Sequence, residues 1–487
     1  MRALAGAPRA DGATAPFLVA GGFAALALAV AAGGRPAVPL AALGGALFLA
    51  ALAIRGPYIR WERALAFLVL LILFVPIRRY RFPGDLPFEL EPYRLVVALL
   101  VAGWGAALLV DSRVKIRSSG LAGPISLVVG ATLASVVVNP ARFAAVEPTA
   151  LKSLTFFLSF VLVFYLVVSV VRTRADADVI VKALVGGGAV LALLALLEAR
   201  TGITPFTRLN SVMPFLVPIE GSNEGLGRGG STRAFGSAEH PIALGAALVL
   251  LIPLAVYVVR TAGARWYVAL VALTVGTLAT VSRTGILMLL VMGVVFLVLR
   301  PRETKRLWPL LIPALVATHF AVPGTLGSLK AAFLPEGGII GEQSETTGDC
   351  NADGRIADLG PTLGEVAKKP VLGYGYGTRI VSGEGSNACI LDNQWLGTLF
   401  DVGVVGALAW LWLFLAVLRR FGGAAKNDPS PIGWLTVAVT ASVTSYAVGM
   451  FAFDAFGFIQ VTFLLYIILG LGAAIARRPT EVPVAPR

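Results

Sequence analysis

Long apolar runs recur from one end of this 487-residue chain to the other, and they constrain its fold more than any motif does. Most are close to the roughly 17 to 25 residues that a helix needs to cross the hydrocarbon core of a bilayer. Only 14% of the residues are charged, whereas a soluble domain has about 25% and can cover itself with polar side chains. We therefore predict an all-α integral membrane protein with about 12–14 transmembrane helices.

The apolar pattern predicts fourteen helices. They lie near 17–32, 37–54, 62–77, 94–110, 121–138, 152–171, 179–197, 239–259, 266–281, 284–300, 307–322, 391–418, 432–450 and 454–475. The first run follows two arginines and resembles a signal peptide. Because another apolar run begins a few residues later, we interpret it as a retained first span.

The distribution of Lys and Arg between short loops predicts the orientation, since such residues stay in the cytoplasm. With a cytoplasmic N-terminus, the short loops on that side hold more than half of the 40 basic residues, and two long loops fall outside. We predict a multi-pass membrane protein with both termini in the cytoplasm. Its predicted parts are N-terminal transmembrane helices at 1–197, helices with an outer loop at 198–322, a large extracytoplasmic loop at 323–390, and C-terminal helices at 391–487.

Several function classes are excluded by the residue pattern. The net charge of +13 is scattered between apolar runs and forms no basic, aromatic-interleaved face, so no nucleic-acid partner is predicted. The glycine-rich GYGYG at 373–377 lacks the strand, helix and lysine of a phosphate-binding loop. The run at 349–360 has Asp, Asn, Asp and Gly at calcium-loop positions 1, 3, 5 and 6, but its twelfth residue is Gly360 instead of the bidentate glutamate, so a polar turn that leads into a helix is the favoured interpretation. We predict no cofactor and no metal site.

Two cysteines, Cys350 and Cys389, lie in or beside the larger outer loop. An even pair on the oxidising side of the membrane favours a disulfide.

The stretch RAFGSAEHPIALG at 233–245 begins an apolar run. An ordinary helix entrance explains part of it: Ser237 as N-cap, Glu239 in the first turn and Pro241 as an early proline. This interpretation gives no reason for Arg233 and His240.

Two further groups of polar residues stand at predicted outer helix ends. Arg283, in TVSRTG, lies near membrane depth, where a charge is costly and indicates function or snorkelling to the interface. An anionic ligand such as a phosphate suits it, because no acid is its neighbour in sequence. Asp392 and Asn393 begin the apolar run of 391–418, and Asp392 is interpreted either as an N-cap or as a general base.

Together these blocks resemble a known family. RAFGSAEHPIALG, TVSRTGIL, the pair GR at 354–355, KPVLGYGYG and DNQWLGTLFDVGVVGAL are similar, in order and spacing, to the O-antigen ligase and Wzy-type polysaccharide polymerase superfamily of GT-C-type membrane glycosyltransferases. The resemblance covers about residues 230 to 410.

The resemblance implies transfer of a glycan from an undecaprenyl-diphosphate donor to a glycan or lipid-glycan acceptor at the outer leaflet of the bacterial plasma (inner) membrane. It implies contact with membrane lipid and a reaction that needs no metal. It implies that Arg233, Arg283 and Arg355 bind the donor diphosphate, with His240 and Asn393 in support. The ligases have a His-Asn pair where this chain has Asp392-Asn393, so Asp392 takes the place of the family base. Ligase, polymerase and protein O-glycosylation stay open, and a transporter or lipid-glycan flippase is the alternative from another class.

Overall fold

The computed structural model describes most of the chain from Arg60 onward. The described residues are 60–83, 89–110, 114–219, 227–228, 231–307, 354–381, 386–426 and 428–476, with the helix Gly338–Ser344 and isolated positions between 309 and 330. The predicted spans near 17–32 and 37–54, and most of 307–322, lie outside the described residues.

Twelve helices of eight or more residues occur in the described part of the chain. They are α1 Trp61–Phe74, α2 Pro92–Val110, α3 Ala122–Val137, α4 Glu147–Val170, α5 Arg174–Thr201, α6 Pro241–Ala262, α7 Tyr267–Ala279, α8 Arg283–Leu299, α9 Leu359–Val366, α10 Gln394–Val417, α11 Pro431–Gly449 and α12 Ile459–Ile475. The eleven predicted spans that fall on described residues coincide with all of these except α9, to within five residues at each end.

Six of the described helices are long and apolar enough to cross a membrane. They are Pro92–Leu109, Glu147–Val170, Arg174–Thr201, Pro241–Ala262, Gln394–Ala425 and Pro431–Gly449. Four shorter apolar helices accompany them: Ala122–Val137, Ala264–Ala279, Arg283–Leu299 and Ile459–Ile475. The prediction of an all-α integral membrane protein is confirmed.

Helix α6 lies at the centre of the bundle and packs against α5, α7, α8, α11 and α12. Nearly all its side chains are buried, as expected for a helix that is apolar on every side. Small residues let neighbouring helices approach closely: a Cβ added at Gly276 of α7 would lie 2.7 Å from the Ala192 Cβ of α5. The buried Ser442 of α11 donates to the Leu250 carbonyl of α6. Packing of this kind makes the bundle a rigid frame for the loops at its ends.

Two minimal strand pairs were not predicted from the apolar pattern. β1 Tyr80–Arg81 pairs antiparallel with β2 Val217–Pro218, and β3 Gly227–Arg228 pairs with β4 Ser231–Thr232. Each strand has two residues, too few to show a two-residue alternation in sequence. The first pair joins the α1–α2 loop to the loop that precedes α6.

Helix ends from along the described chain meet at one end of the bundle, which we call the site end. The N-termini of α6, α8, α10 and α12 and the C-termini of α1, α5, α7 and α11 all lie there, by the alternation of helix directions along the chain. Helix N-termini carry partial positive charge and favour anions.

Candidate active site

The RAFGSAEHP segment is fastened to three helices at the site end. Glu198, in the last turn of α5, accepts hydrogen bonds from the backbone N–H groups of Phe235 and Gly236, at 3.3 and 2.8 Å. The Ser237 hydroxyl donates to the Leu73 carbonyl at the end of α1 and accepts from Gln460 of α12. The segment is therefore held in one conformation before α6 begins.

The helix entrance differs from the predicted one. α6 begins at Pro241, and His240 is its N-cap, with Nδ1 accepting from the Ile242 N–H at 3.1 Å. Ser237 is not the cap, because its hydroxyl binds α1 and α12. Glu239 precedes the helix and is not in its first turn. The early position of Pro241 is confirmed, since a proline at N1 has no N–H to lose.

Burial is the main cause that lowers the pKa of His240, to about 4. The charges of Arg233 and Arg355 lower it further, and that of Asp392 opposes them. His240 is thus neutral near pH 7, as its capping role requires, because only an unprotonated Nδ1 accepts a hydrogen bond. These interactions also mean that the fold gathers Arg233, His240, Arg355 and Asp392, although they are spread over about 160 residues of sequence.

His240→Asn is expected to change how stability depends on pH. Asn is a good N-cap and does not titrate in this range. The folded-state pKa of His240 is lowered from 6.5 to about 4, so its contribution to stability is complete above pH 6.5 and is lost as the pH falls through that interval. Melting temperatures in detergent should fall more steeply for the wild type than for H240N between pH 6.5 and 4. A constant difference between the two proteins would contradict the neutral cap.

Arg233 and Arg283 are linked through one tight turn. Arg233 is buried, with 6% of its surface exposed, and its Nε donates to the Thr280 carbonyl at 3.1 Å. Val281 follows with φ 47°, a left-handed conformation that is strained for a β-branched residue. Ser282 then caps α8, and Arg283 is its first residue. Arg233 therefore supports the turn that presents Arg283, in addition to any contact with a ligand.

Asp392 and Arg355 form an ion pair beside the start of α10. Arg355 Nη2 donates to Asp392 Oδ2 at 2.9 Å, and the Asp392 side chain is 44% exposed. Asn393, not Asp392, caps α10, with Oδ1 accepting from the Leu396 N–H at 3.1 Å. The interpretation of Asp392 as an N-cap is therefore wrong, and the aspartate is left to pair with Arg355.

The loop between α11 and α12 positions this end of α10. The Gln394 N–H donates to the Met450 carbonyl at 2.7 Å, and Gln394 Oε1 accepts from the Phe456 N–H at 2.7 Å. The ring of Phe458, at the end of the same loop, stacks against His240 with a centroid distance of 6.0 Å. One loop therefore contacts both the cap of α6 and the start of α10.

Sequence reasoning missed an ion pair that joins the N-terminal helices to the site. Arg78, from the α1–α2 loop, lies 3.2 Å from Glu239 Oε2 through Nη1, which also donates to the Gly457 carbonyl. Arg78 has φ 61°, an uncommon conformation for a residue with a side chain. The sequence feature that could have indicated this ion pair is the run of arginines in IRRYR, which interrupts an apolar region.

A second missed feature is a seam between the GYGYG segment and α10. Tyr374 and Gly375 donate backbone hydrogen bonds to the Phe400 and Asp401 carbonyls, at 2.9 and 3.0 Å, and Val404 donates to Pro370 at 2.8 Å. α10 is broken at Gly403, where φ is 73° and ψ is −170°. The seam brings Arg379 within 3.5 Å of Asp401, an ion pair in which both side chains are about nine-tenths buried.

The remaining predicted site residues are only partly described. Cys389 is disulfide-bonded; Cys350, the only other cysteine of the sequence, lies outside the described residues. Among the described residues, no group of three or more His, Cys, Asp or Glu side chains is arranged to hold a metal ion. The chemistry that the site end offers is recognition of an anion by guanidinium groups, with carboxylates nearby.

A family model described as O-antigen ligase matches residues 267–411. Arg283, Arg355, Asp392 and Asn393 fall inside this match, whereas Arg233 and His240 precede it. No curated protein matches the chain. The resemblance drawn from the sequence blocks is confirmed for this segment. Residues 267–411 therefore resemble the O-antigen ligase family and lie within a multi-pass integral membrane protein.

Proposed function

We propose that this protein transfers a glycan from a polyprenyl-diphosphate carrier to an acceptor sugar at the outer face of the bacterial plasma membrane. The observation that carries the proposal is the gathering of Arg233, Arg355, His240 and Asp392 around the N-termini of α6 and α10, in a chain whose residues 267–411 match the O-antigen ligase family. O-antigen ligase-like glycan transfer fits the family match, and the lipid-linked donor fits the arginines.

Arg233, Arg283 and Arg355 are the proposed ligands of the donor diphosphate. Guanidinium groups bind phosphate oxygens in a fork geometry and keep their charge at all accessible pH values. As the bond between sugar and diphosphate breaks, negative charge grows on the leaving group, and fixed positive charge lowers the energy of that state. The chemistry needs neither a nucleotide sugar nor a metal ion.

Asp392 is the proposed carboxylate beside the acceptor hydroxyl. It stands in the position of the ligase histidine and accepts a hydrogen bond from the hydroxyl that attacks the anomeric carbon. Its partner Arg355 is also a proposed phosphate ligand, so the ion pair would link the acceptor side to the donor side. His240 and Asn393 support this arrangement as caps of α6 and α10.

The test is a transfer assay with protein purified in detergent, a lipid-diphosphate glycan donor and candidate acceptors. Glycan should pass to the acceptor in the absence of any nucleotide sugar, with inversion at the transferred anomeric carbon as a single displacement requires. Transport of the lipid-linked glycan without a new glycosidic bond would favour a flippase and overturn the proposal.

Asp392→Asn is expected to lower transfer at saturating donor by about 10²-fold, the typical contribution of a positioned carboxylate. The donor KM should change little, because Asn keeps the size of the side chain and the arginines stay. Glu365→Gln is the matched control, since Glu365 is an exposed carboxylate of the same loop region that pairs with Lys368. Normal turnover in D392N would remove Asp392 from the mechanism.

A further inference from the structure

Three carboxylates surround Arg78 at the site end, and they differ in the hydrogen bonds that their oxygens accept. Glu91 accepts from the Arg78 backbone N–H through Oε2 and from Arg94 through Oε1, both at 2.5 Å. Glu239 accepts from Arg78 through Oε2 at 3.2 Å, while its Oε1 is buried and has no hydrogen-bond partner among the described residues. Asp454 lies close enough to influence both Arg78 and Glu239 electrostatically.

An unsatisfied buried carboxylate oxygen is costly, and proteins retain such groups mainly at functional sites. Burial is the main cause that raises the pKa of Glu239, to about 7. Arg78 opposes this increase, and the negative charges of Glu91 and Asp454 add to it. A carboxylate with a pKa near the working pH is suited to accept a proton during a reaction.

The position of Glu239 brings it beside the proposed reaction site. It directly precedes His240, whose pKa responds to Arg233, Asp392 and Arg355. Asp454 links Glu239 to Asp392 electrostatically. Its negative charge raises the pKa of Glu239, and its own pKa is raised by burial and by the charge of Asp392. The Glu239 side chain is 18% exposed as a whole, whereas its Oε1 is buried, so the acceptor hydroxyl has to enter the protein to reach Oε1.

Asp392 is already paired with a cationic side chain. Its Oδ2 accepts a hydrogen bond from Arg355 Nη2 at 2.9 Å. A mechanism in which Asp392 aligns the acceptor hydroxyl still requires a group that takes the proton away.

Resting on the proposed function, we propose that Glu239 is a second catalytic carboxylate, which receives the proton of the acceptor hydroxyl through Oε1. The acceptor oxygen forms a bond to the anomeric carbon of the donor sugar, and its proton passes to Glu239. The bond between the anomeric carbon and the phosphate oxygen breaks, and the polyprenyl diphosphate leaves with the electron pair beside the arginines. The proton later returns to solvent from the part-exposed side chain.

The charged groups that face Glu239 define the pH dependence of this step. Arg78 comes from the α1–α2 loop, Glu91 and Arg94 from the start of α2, His240 from its own segment, and Asp454 from the α11–α12 loop. His240 is neutral above about pH 4, so it does not change charge in the working range. Transfer should therefore rise with pH as Glu239 loses its proton, with a midpoint near pH 7, and should level off above pH 8.

The experiment measures kcat/KM for the acceptor between pH 5.5 and 8.5 at saturating lipid-diphosphate donor. Glu239→Gln should lower kcat/KM about 10²-fold at pH 8 and remove the rise around pH 7. Glu239→Asp keeps a carboxylate and should restore a pH-dependent rise at a reduced plateau. Asp392→Asn should lower the plateau and keep the rise, and Glu365→Gln should behave as wild type.

The outcomes separate this inference from the proposed function. If the wild type transfers glycan and E239Q, with an unchanged melting temperature, keeps the rise near pH 7, Glu239 is not the proton acceptor and the proposed function stands. If E239Q does not fold, E239D becomes the test. The midpoint of its kcat/KM profile against pH should then differ from that of the wild type, and an unchanged midpoint overturns the inference. Absence of transfer in the wild type overturns the proposed function itself.

Discussion

Arg283→Ala is expected to lower glycan transfer by about 10²–10³-fold, the range seen when one fixed group that stabilises developing charge is removed. Arg283 is the first residue of α8 and lies beside the turn that Arg233 supports. Its loss removes a proposed contact to the leaving diphosphate while α8 keeps its Ser282 cap. The measurement is transfer from a lipid-diphosphate donor under single-turnover conditions, with the melting temperature recorded in parallel.

Two further variants serve as comparisons for Arg283→Ala. Arg283→Lys keeps the charge but not the fork of donors, so part of the activity should return. Arg302→Ala removes an exposed arginine just after the other end of α8 and should leave transfer unchanged.

Arg233→Ala should lower transfer as strongly as Arg283→Ala, but with a loss of stability as well. The Thr280 carbonyl loses its hydrogen bond from Arg233 Nε in a buried environment, which costs about 1–3 kcal/mol. Unchanged transfer in both alanine variants would remove the diphosphate assignment. A melting temperature that falls only for Arg233→Ala would confirm the supporting role of Arg233.

Gly403→Ala should destabilise the protein by about 3 kcal/mol or more, because two costs combine. Gly403 has φ 73° and ψ −170°, a region that residues with a Cβ essentially do not occupy. A Cβ there would lie 2.3 Å from the Val371 carbonyl oxygen and 2.6 Å from the Leu372 nitrogen, and neither backbone atom can turn away as a side chain would. We expect the GYGYG segment to separate from α10 and the Arg379–Asp401 pair to lose its geometry.

The check is the melting temperature in detergent, compared with a glycine replacement in an open helical position. Gly293→Ala is that control, since no atom lies within 4 Å of an added Cβ and α8 is regular there. Alanine has a higher helix propensity by about 1 kcal/mol, so G293A should melt at the wild-type temperature or above it. A Gly403→Ala protein as stable as wild type would mean that the seam does not support the fold.

The membrane helices could be predicted from the sequence because hydropathy and helix length are local properties. Each of the predicted spans on described residues is a helix, and Arg283 was expected at a helix end, where it lies. The start of α6 was less predictable. Ser237 and His240 are both able to cap, and only the contacts of Ser237 with α1 and α12 decide between them.

The rest of the site depends on contacts between distant parts of the chain. Arg78 and Glu239 are 161 positions apart, and neither has a local pattern that indicates the other. The broken helix at Gly403 also escaped prediction, because DVGVVG reads as a continuous apolar helix. Its φ is set by the GYGYG segment that packs against it, which is a tertiary cause.

The seam between GYGYG and α10 consists of backbone hydrogen bonds and of close approaches that glycines permit. It therefore depends little on the identity of other side chains. A connection of this kind tolerates change on either side of it. The sequence before Pro370 can change while Tyr374, Gly375 and Val404 still dock as they do here, provided that Arg355 is kept as the partner of Asp392. The seam thus marks where one could graft a foreign loop onto this bundle, and such chimaeras would exchange whatever that loop contributes without rebuilding the helices that hold it.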